Sequence, residues 1–268
     1  MKNNAFDGKK TALKAVFWAV GFTLFLPIII LPPYFQPSDW SRSILFRIIL
    51  TALVAFLLFR FFYKKNLRIE IPAWNKASYW PILILAAYLI TVLISTLFSQ
   101  DVKFSIFGSP SRAGGALTLF FFFLFSILVA LFINKAQWQK LFQALFIGGI
   151  LASLLAIVQY FNLLKNVFLS YEGGSTPSFL GNSTILATYM LFLSFLAFIF
   201  FIQKQTKKEK AIYGGLFLLF IFTIIITGSR AAYLALLAGF LYFFLLYPYP
   251  QKYKRLKIAA ATILVATI

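Results

Sequence analysis

Long apolar runs separated by short polar connections divide this chain from end to end. They cover 12–31, 43–63, 80–98, 114–133, 140–161, 183–202, 211–228 and 229–246, and a further run covers 258–268. A helix needs roughly 20 apolar residues to cross a hydrocarbon core about 30 Å thick, and the first eight runs are close to that length. Nothing alternates with period two, which excludes a transmembrane barrel. Backbone polar groups in lipid must be satisfied within the segment, so the pattern predicts helices. The expected fold is an all-α, polytopic transmembrane helical bundle of about eight or nine spans, forming a single membrane domain over 1–268.

The first run is too long for a signal-peptide core and ends at Pro32 and Pro33 without a small-x-small cleavage site, so it is expected to remain as a span. The run 258–268 reaches only roughly 16 Å at the rise of an α-helix, about half a crossing. The chain is therefore expected to be a fragment, or a truncated gene product, of a longer protein.

The basic residues sort by connection. One side receives Lys2, Lys9, Lys10 and Lys14, then Arg60, Lys64, Lys65, Arg68 and Lys76, then Lys135 and Lys140. The same side receives Lys204, Lys207, Lys208 and Lys210, and finally Lys252, Lys254, Arg255 and Lys257. Those are nineteen of the 25 Lys and Arg residues. The other side holds Arg42, Arg47, Lys103, Arg112, Lys165 and Arg230. This asymmetry recurs at every second connection and predicts a cytoplasmic N-terminus. Trp40, Trp74, Trp80 and Trp138 fall at span edges, where aromatic belts form.

Composition agrees with a membrane setting. The chain is 62% hydrophobic and 12% charged, more apolar surface than a soluble domain of this size can hide. The net charge of +19 would suit a nucleic-acid binder, but the basic residues lie in clusters between apolar runs and form no single face. No nucleic-acid partner is expected; membrane lipid is. Cysteine and histidine are both absent, so no thiolate or imidazole metal site is expected, and no metal or other cofactor.

Candidate chemistry concentrates on the sparsely charged side. Three polar segments open there: Ser99–Gly115, Asn162–Asn182 and the tight junction Thr227–Ala231. Arg230 stands where two eighteen-residue runs meet without a polar loop, with Gly228 supplying the sharp turn. A permanently charged, forked guanidinium at such a place suits an anion; it also suits a side chain snorkelling to lipid headgroups. Arg112 lies in Gly108–Gly115, a glycine-rich approach that could offer backbone N–H groups and one arginine to a phosphate, or be a plain turn with a solvated arginine. Arg47, one turn inside the second span, is expected to snorkel. Glu172 is a candidate general base in the longest connection on that side, against a default of a solvated pair with Lys165. The paired glycines 148–149 in the fifth span are expected to allow close helix packing.

Three stretches, in order, resemble one family. They are Phe107-Gly108-Ser109 with Arg112, Gly115, Leu117 and Thr118; Phe179-Leu180-Gly181-Asn182 with Leu186, Ala187 and Tyr189; and Thr227-Gly228-Ser229-Arg230-Ala231-Ala232. Together they are similar to the signatures of O-antigen ligase and O-antigen polymerase-like membrane glycosyltransferases, and the resemblance spans nearly the whole chain. It implies metal-independent, inverting transfer of a glycan from undecaprenyl diphosphate at the outer face of the bacterial cytoplasmic membrane. The acceptor would be lipid A–core, another glycan or a protein hydroxyl. By motif position Arg230 and Arg112 would hold the diphosphate, with Ser229, Gly228, Gly181 and Asn182 in support.

Members often carry an arginine shortly before the Gly-Asn segment, where this chain reads Gly173 to Ser178 without one. Their catalytic histidine stands on a large outer loop after the ninth span, and this chain has no histidine. The resemblance thus implies that the acid/base machinery lies outside this stretch and that the chain is inactive alone. Two other readings stand beside it. One is a lipid-linked-glycan polymerase or a flippase or transporter, of which the last two would carry charges within the spans or internal repeats, yet Asp7, Asp39, Glu70, Asp101, Glu172 and Glu209 all lie outside them. A non-catalytic membrane fragment would tolerate the loss of Arg230.

Overall fold

The structure is a computed structural model that describes residues 2–29, 38–62, 76–109, 114–163 and 176–246. These residues form nine α-helices and no strand: α1 Lys2–Thr23, α2 Ser38–Phe62, α3 Lys76–Leu97, α4 Val102–Phe107, α5 Ala116–Phe132, α6 Lys135–Tyr160, α7 Ser183–Gln203, α8 Lys207–Thr227 and α9 Arg230–Leu246. Six stretches within them are long and apolar enough to cross a membrane, and α5 and α9 are shorter apolar helices. The chain is an all-α, multi-pass membrane bundle. The terminal run 258–268 lies outside the described residues.

The first apolar run departs from an uninterrupted span. Its α-helix stops at Thr23, followed by a turn and a 3₁₀ turn over Leu26–Ile28. Pro27 is the cause: it offers no N–H, and its ring collides with the carbonyl four residues back, at Thr23. The Thr23 hydroxyl closes the broken end by donating to the Val20 carbonyl at 2.7 Å. A further helix, α4, lies inside the polar segment Ser99–Gly115. Asp101 starts it by accepting the Phe104 N–H at 2.8 Å, an ordinary N-cap.

The chain divides into two compact units, Met1–Gly148 and Gly149–Ile268, with the boundary inside α6. In the first unit, Ala12, Val16 and Val20 form a stripe on α1, and Phe46, Leu50, Leu53 and Leu57 form one on α2. Spacings of three and four place each set on one helical face. Leu128, Ile133 and Leu141 complete that core. Trp18 and Phe22 on α1 are exposed, as suits lipid-facing positions.

In the second unit α7 is the central helix. Leu186, Met190, Leu193 and Ala197 are fully buried along one stripe, and the most extensive packing is with α8. Lipid is as apolar as leucine, so close packing rather than water exclusion holds such helices together. Two devices supply it. Phe198 meets Phe217 at 5.3 Å and Phe240 at 5.5 Å between ring centroids, joining α7, α8 and α9. Gly149 lets α6 approach so closely that a Cβ there would overlap Leu193 of α7 and press on Phe220 of α8. The expectation of close packing at the paired glycines thus holds at Gly149.

The α7–α8 connection is fastened by side chains. Thr206 caps α8 at the Glu209 N–H, and its hydroxyl donates to the Glu209 carboxylate at 2.7 Å. One orphan N–H of the first turn is satisfied, that of Glu209, while the carboxylate takes the Thr206 hydroxyl and steadies the cap. Lys204 pairs with the same carboxylate at 2.8 Å, which raises the pKa of its ammonium.

Substituting Gly149 by leucine should overpack this interface and lower the stability of the purified protein by about 1–3 kcal/mol. Gly215, with open space where a Cβ would go, should accept alanine with little change. Thermal melting in detergent compares the two; equal melting temperatures would contradict the close contact at Gly149.

Candidate functional site

At one end of the second unit, α6 and α8 finish and α7 and α9 begin. The α8–α9 turn is made by Gly228, whose φ of 68° and ψ of 11° are left-handed, a conformation glycine adopts freely. Its N–H donates to the Ile225 carbonyl at 3.2 Å. The Ser229 N–H reaches the Thr227 hydroxyl at 3.3 Å, and Ser229 is buried. Arg230 is then the first residue of α9 and is exposed. Its guanidinium makes no hydrogen bond or ion pair with another described residue. One turn later the Tyr233 hydroxyl donates to the Ile225 carbonyl at 2.6 Å and ties α9 back onto α8.

This placement has an electrostatic sense. The first turn of a helix carries unsatisfied N–H groups and the positive end of its dipole. A guanidinium at the same place adds charge of the same sign, so the turn disfavours cations and has the charge and donors to hold an anion. Arginine's planar fork matches the paired oxygens of a phosphate.

The approach to α7 lies at the same end. Residues 176–182 contain a 3₁₀ turn over Ser178–Leu180 and are mostly buried. Gly181 follows with φ 74°, again left-handed, and Asn182 caps α7 by accepting the N–H groups of Thr184 at 2.8 Å and Ile185 at 3.3 Å. Three further hydrogen bonds fasten the segment. The Thr176 hydroxyl donates to the Ile226 carbonyl of α8 at 3.2 Å. The Ser178 hydroxyl donates to the Ala152 carbonyl of α6 at 2.6 Å, and the Ser178 N–H donates to the Gln159 carboxamide oxygen at 2.8 Å. The Thr176–Ile226 bond ties the chain five residues before Gly181 to the carbonyl two residues before Gly228.

The third sequence segment belongs to the first unit. Gly108 and Gly115 lie back to back, so that a Cβ on either would strike the other's backbone. Arg112, between them, lies outside the described residues, as do Glu172 and Lys165. Directly after Gly115, Thr118 in the first turn of α5 accepts a hydrogen bond from Arg47 Nη2 of α2. Arg47 is therefore turned toward a neighbouring helix, where snorkelling to the interface was expected. Arg42, on the same helix, donates to the Ile29 carbonyl at 3.3 Å.

Sequence reasoning singled out Arg230 and the two glycine turns but passed over Gln159, Thr176 and Ser178. Two features could have flagged them. Gln159 is a polar residue inside an apolar run, and Thr176-Pro177-Ser178 immediately precedes the Gly-Asn turn. Among the described residues no group of three or more His, Cys, Asp or Glu could hold a metal ion. Compared with models of protein families, with curated proteins and with solved structures, the chain matches none.

Replacing Asn182 by alanine should remove the α7 cap and lower stability by about 1 kcal/mol, while aspartate or serine should retain most of it. Thermal melting of the three variants provides the measurement; an alanine variant as stable as the parent would deny the cap any energetic role.

Proposed function

We propose that the α8–α9 turn binds the diphosphate of a lipid-linked glycan and that the chain is the N-terminal part of an O-antigen ligase-like glycosyltransferase. One observation carries this reading. Arg230 stands exposed at the head of α9, at the end of the unit where Gly181 and Asn182 lead into α7. That is where the family resemblance would put a diphosphate. Arg112, which the resemblance also assigns to the diphosphate, belongs to the first unit and lies outside the described residues.

In this reading the acceptor hydroxyl attacks the anomeric carbon of the donor from the face opposite the diphosphate. The carbon–oxygen bond to undecaprenyl diphosphate breaks, and the configuration inverts. Charge develops on the departing diphosphate, and fixed cationic donors there stabilise the transition state more than the ground state. Gly228 and Ser229 set the turn that aims Arg230, while Gly181 and Asn182 start α7 beside it. The proton of the acceptor needs a base. Glu172 is the candidate within this chain, and the family resemblance assigns the role to a histidine on a later loop. The reaction would take place on the outer face of the bacterial cytoplasmic membrane, with the lysine-rich connections inside.

Arg230→Ala should weaken binding of undecaprenyl diphosphate to the purified protein at least tenfold, and Arg230→Lys should recover part of the loss. Unchanged affinity in both variants would refute the site. The chain has no cysteine, so single cysteines report its topology cleanly. Gln100→Cys should react with an impermeant maleimide on intact cells and Gln205→Cys should not. The reverse pattern would put Arg230 on the cytoplasmic side and remove the basis for glycan transfer outside.

A further inference from the structure

Residues 176–182 are non-helical backbone packed among helices, and their hydrogen bonds must all be found inside the protein. Thr176, Pro177, Ser178 and Leu180 are buried. Ser178 adopts φ 52°, and Asn162 is the other described non-glycine residue with positive φ. A serine holds this conformation only where its surroundings over-determine it. The surroundings here are two points on α6. Ala152 and Gln159 are seven residues apart, two turns, and so share one face.

The Ser178 N–H makes its hydrogen bond to the Gln159 side chain. An N–H is only a donor, so the carboxamide must present its oxygen. Helical side chains lean toward the N-terminus of their own helix, so Gln159, in the last turn of α6, reaches back into the unit. Ser178 is therefore held from both sides, by its hydroxyl on the Ala152 carbonyl and by its N–H on Gln159. Two residues earlier Thr176 is bonded to Ile226, four residues before Arg230.

We infer that Gln159 is a positioning residue: its carboxamide oxygen holds Ser178 and thereby fixes the segment 176–182 against the end of α8, where α9 begins with Arg230. The inference rests on the diphosphate-binding reading of that end of the unit. Gln159 touches no ligand in this scheme. It acts through Ser178, Thr176 and the turn that starts α7. Without its oxygen the buried Ser178 N–H loses its acceptor, and the segment leaves its strained conformation to find another.

The test uses the full chain in detergent with one cysteine introduced at Phe179, a half-buried position in the segment. Maleimide labelling and undecaprenyl diphosphate affinity are measured in four backgrounds: parent, Gln159→Leu, Gln159→Glu and Arg230→Ala. Gln159→Leu should label at least tenfold faster than the parent and bind the diphosphate about tenfold more weakly. Gln159→Glu keeps an acceptor oxygen at the same reach and should label within about twofold of the parent rate. Arg230→Ala should label like the parent and lose affinity.

If Gln159→Leu does not fold, Gln159→Asn, whose oxygen falls one carbon short, should label at an intermediate rate. Parental labelling in the leucine or asparagine variant overturns the inference, whatever Arg230→Ala does. So does faster labelling with undiminished affinity. Undiminished affinity in Arg230→Ala overturns the diphosphate reading and, with it, any part of Gln159 in diphosphate binding. The labelling ratio still shows separately whether Gln159 holds the segment.

Discussion

Every feature of this bundle answers to one constraint: a backbone surrounded by lipid has no water to bond, so each N–H and carbonyl must find a protein partner. Helices meet it automatically along their length and fail at their ends. The side chains that matter are accordingly found at ends. Thr206 and Glu209 close the start of α8, Asn182 the start of α7, and Tyr233 the junction of α8 with α9. Residues 176–182 are the demanding case, because the chain there is irregular and buried at once. One of their backbone groups, the Ser178 N–H, is met by the Gln159 carboxamide of α6, and the Thr176 and Ser178 hydroxyls tie the segment to carbonyls of α8 and α6.

The same logic explains the arginines. A guanidinium among apolar helices needs acceptors, and those available are hydroxyls and helix-terminal carbonyls. Arg47 uses the hydroxyl of Thr118, and Arg42 uses the free carbonyl of Ile29 where the first helix has already broken. Both thereby pin the beginning of α2 to neighbouring elements. Arg230 differs in standing exposed at a helix start. This difference, rather than charge alone, makes it the candidate for holding an anion.

Much of the fold was legible in the sequence because span length and side-chain hydropathy are local properties. The run 183–202 became α7, Ser183–Gln203, within a residue at each end. The run 211–228 became a helix that starts at Lys207, because the cap at Thr206 lies in the polar flank where hydropathy carries no signal. Pro27 was visible, but its consequence, the stop at Thr23, was masked by apolar residues on both sides. Gly181, Gly228 and Arg230 announced a site through turn chemistry and an isolated charge. Gln159, Thr176 and Ser178 did not, because their roles exist only once α6, α7 and α8 have packed. A glutamine in the last turn of a span reads as an interfacial residue until its partner is known.

The α8–α9 junction allows no slack, and that sets what this stretch of chain can become. Gly228 and Ser229 alone separate the two helices, Tyr233 locks the first turn of α9, and Gly239 must meet the ring of Phe195, where a Cβ would collide. One inserted residue would rotate the rest of α9 by about 100° and carry Gly239 off that ring. Substitutions at the exposed positions between Gly228 and Gly239 leave this register untouched, whereas insertions and deletions destroy it. Evolution can therefore rewrite the letters of this stretch while its length stays fixed, which would make it a gapless block in any lineage that keeps the fold.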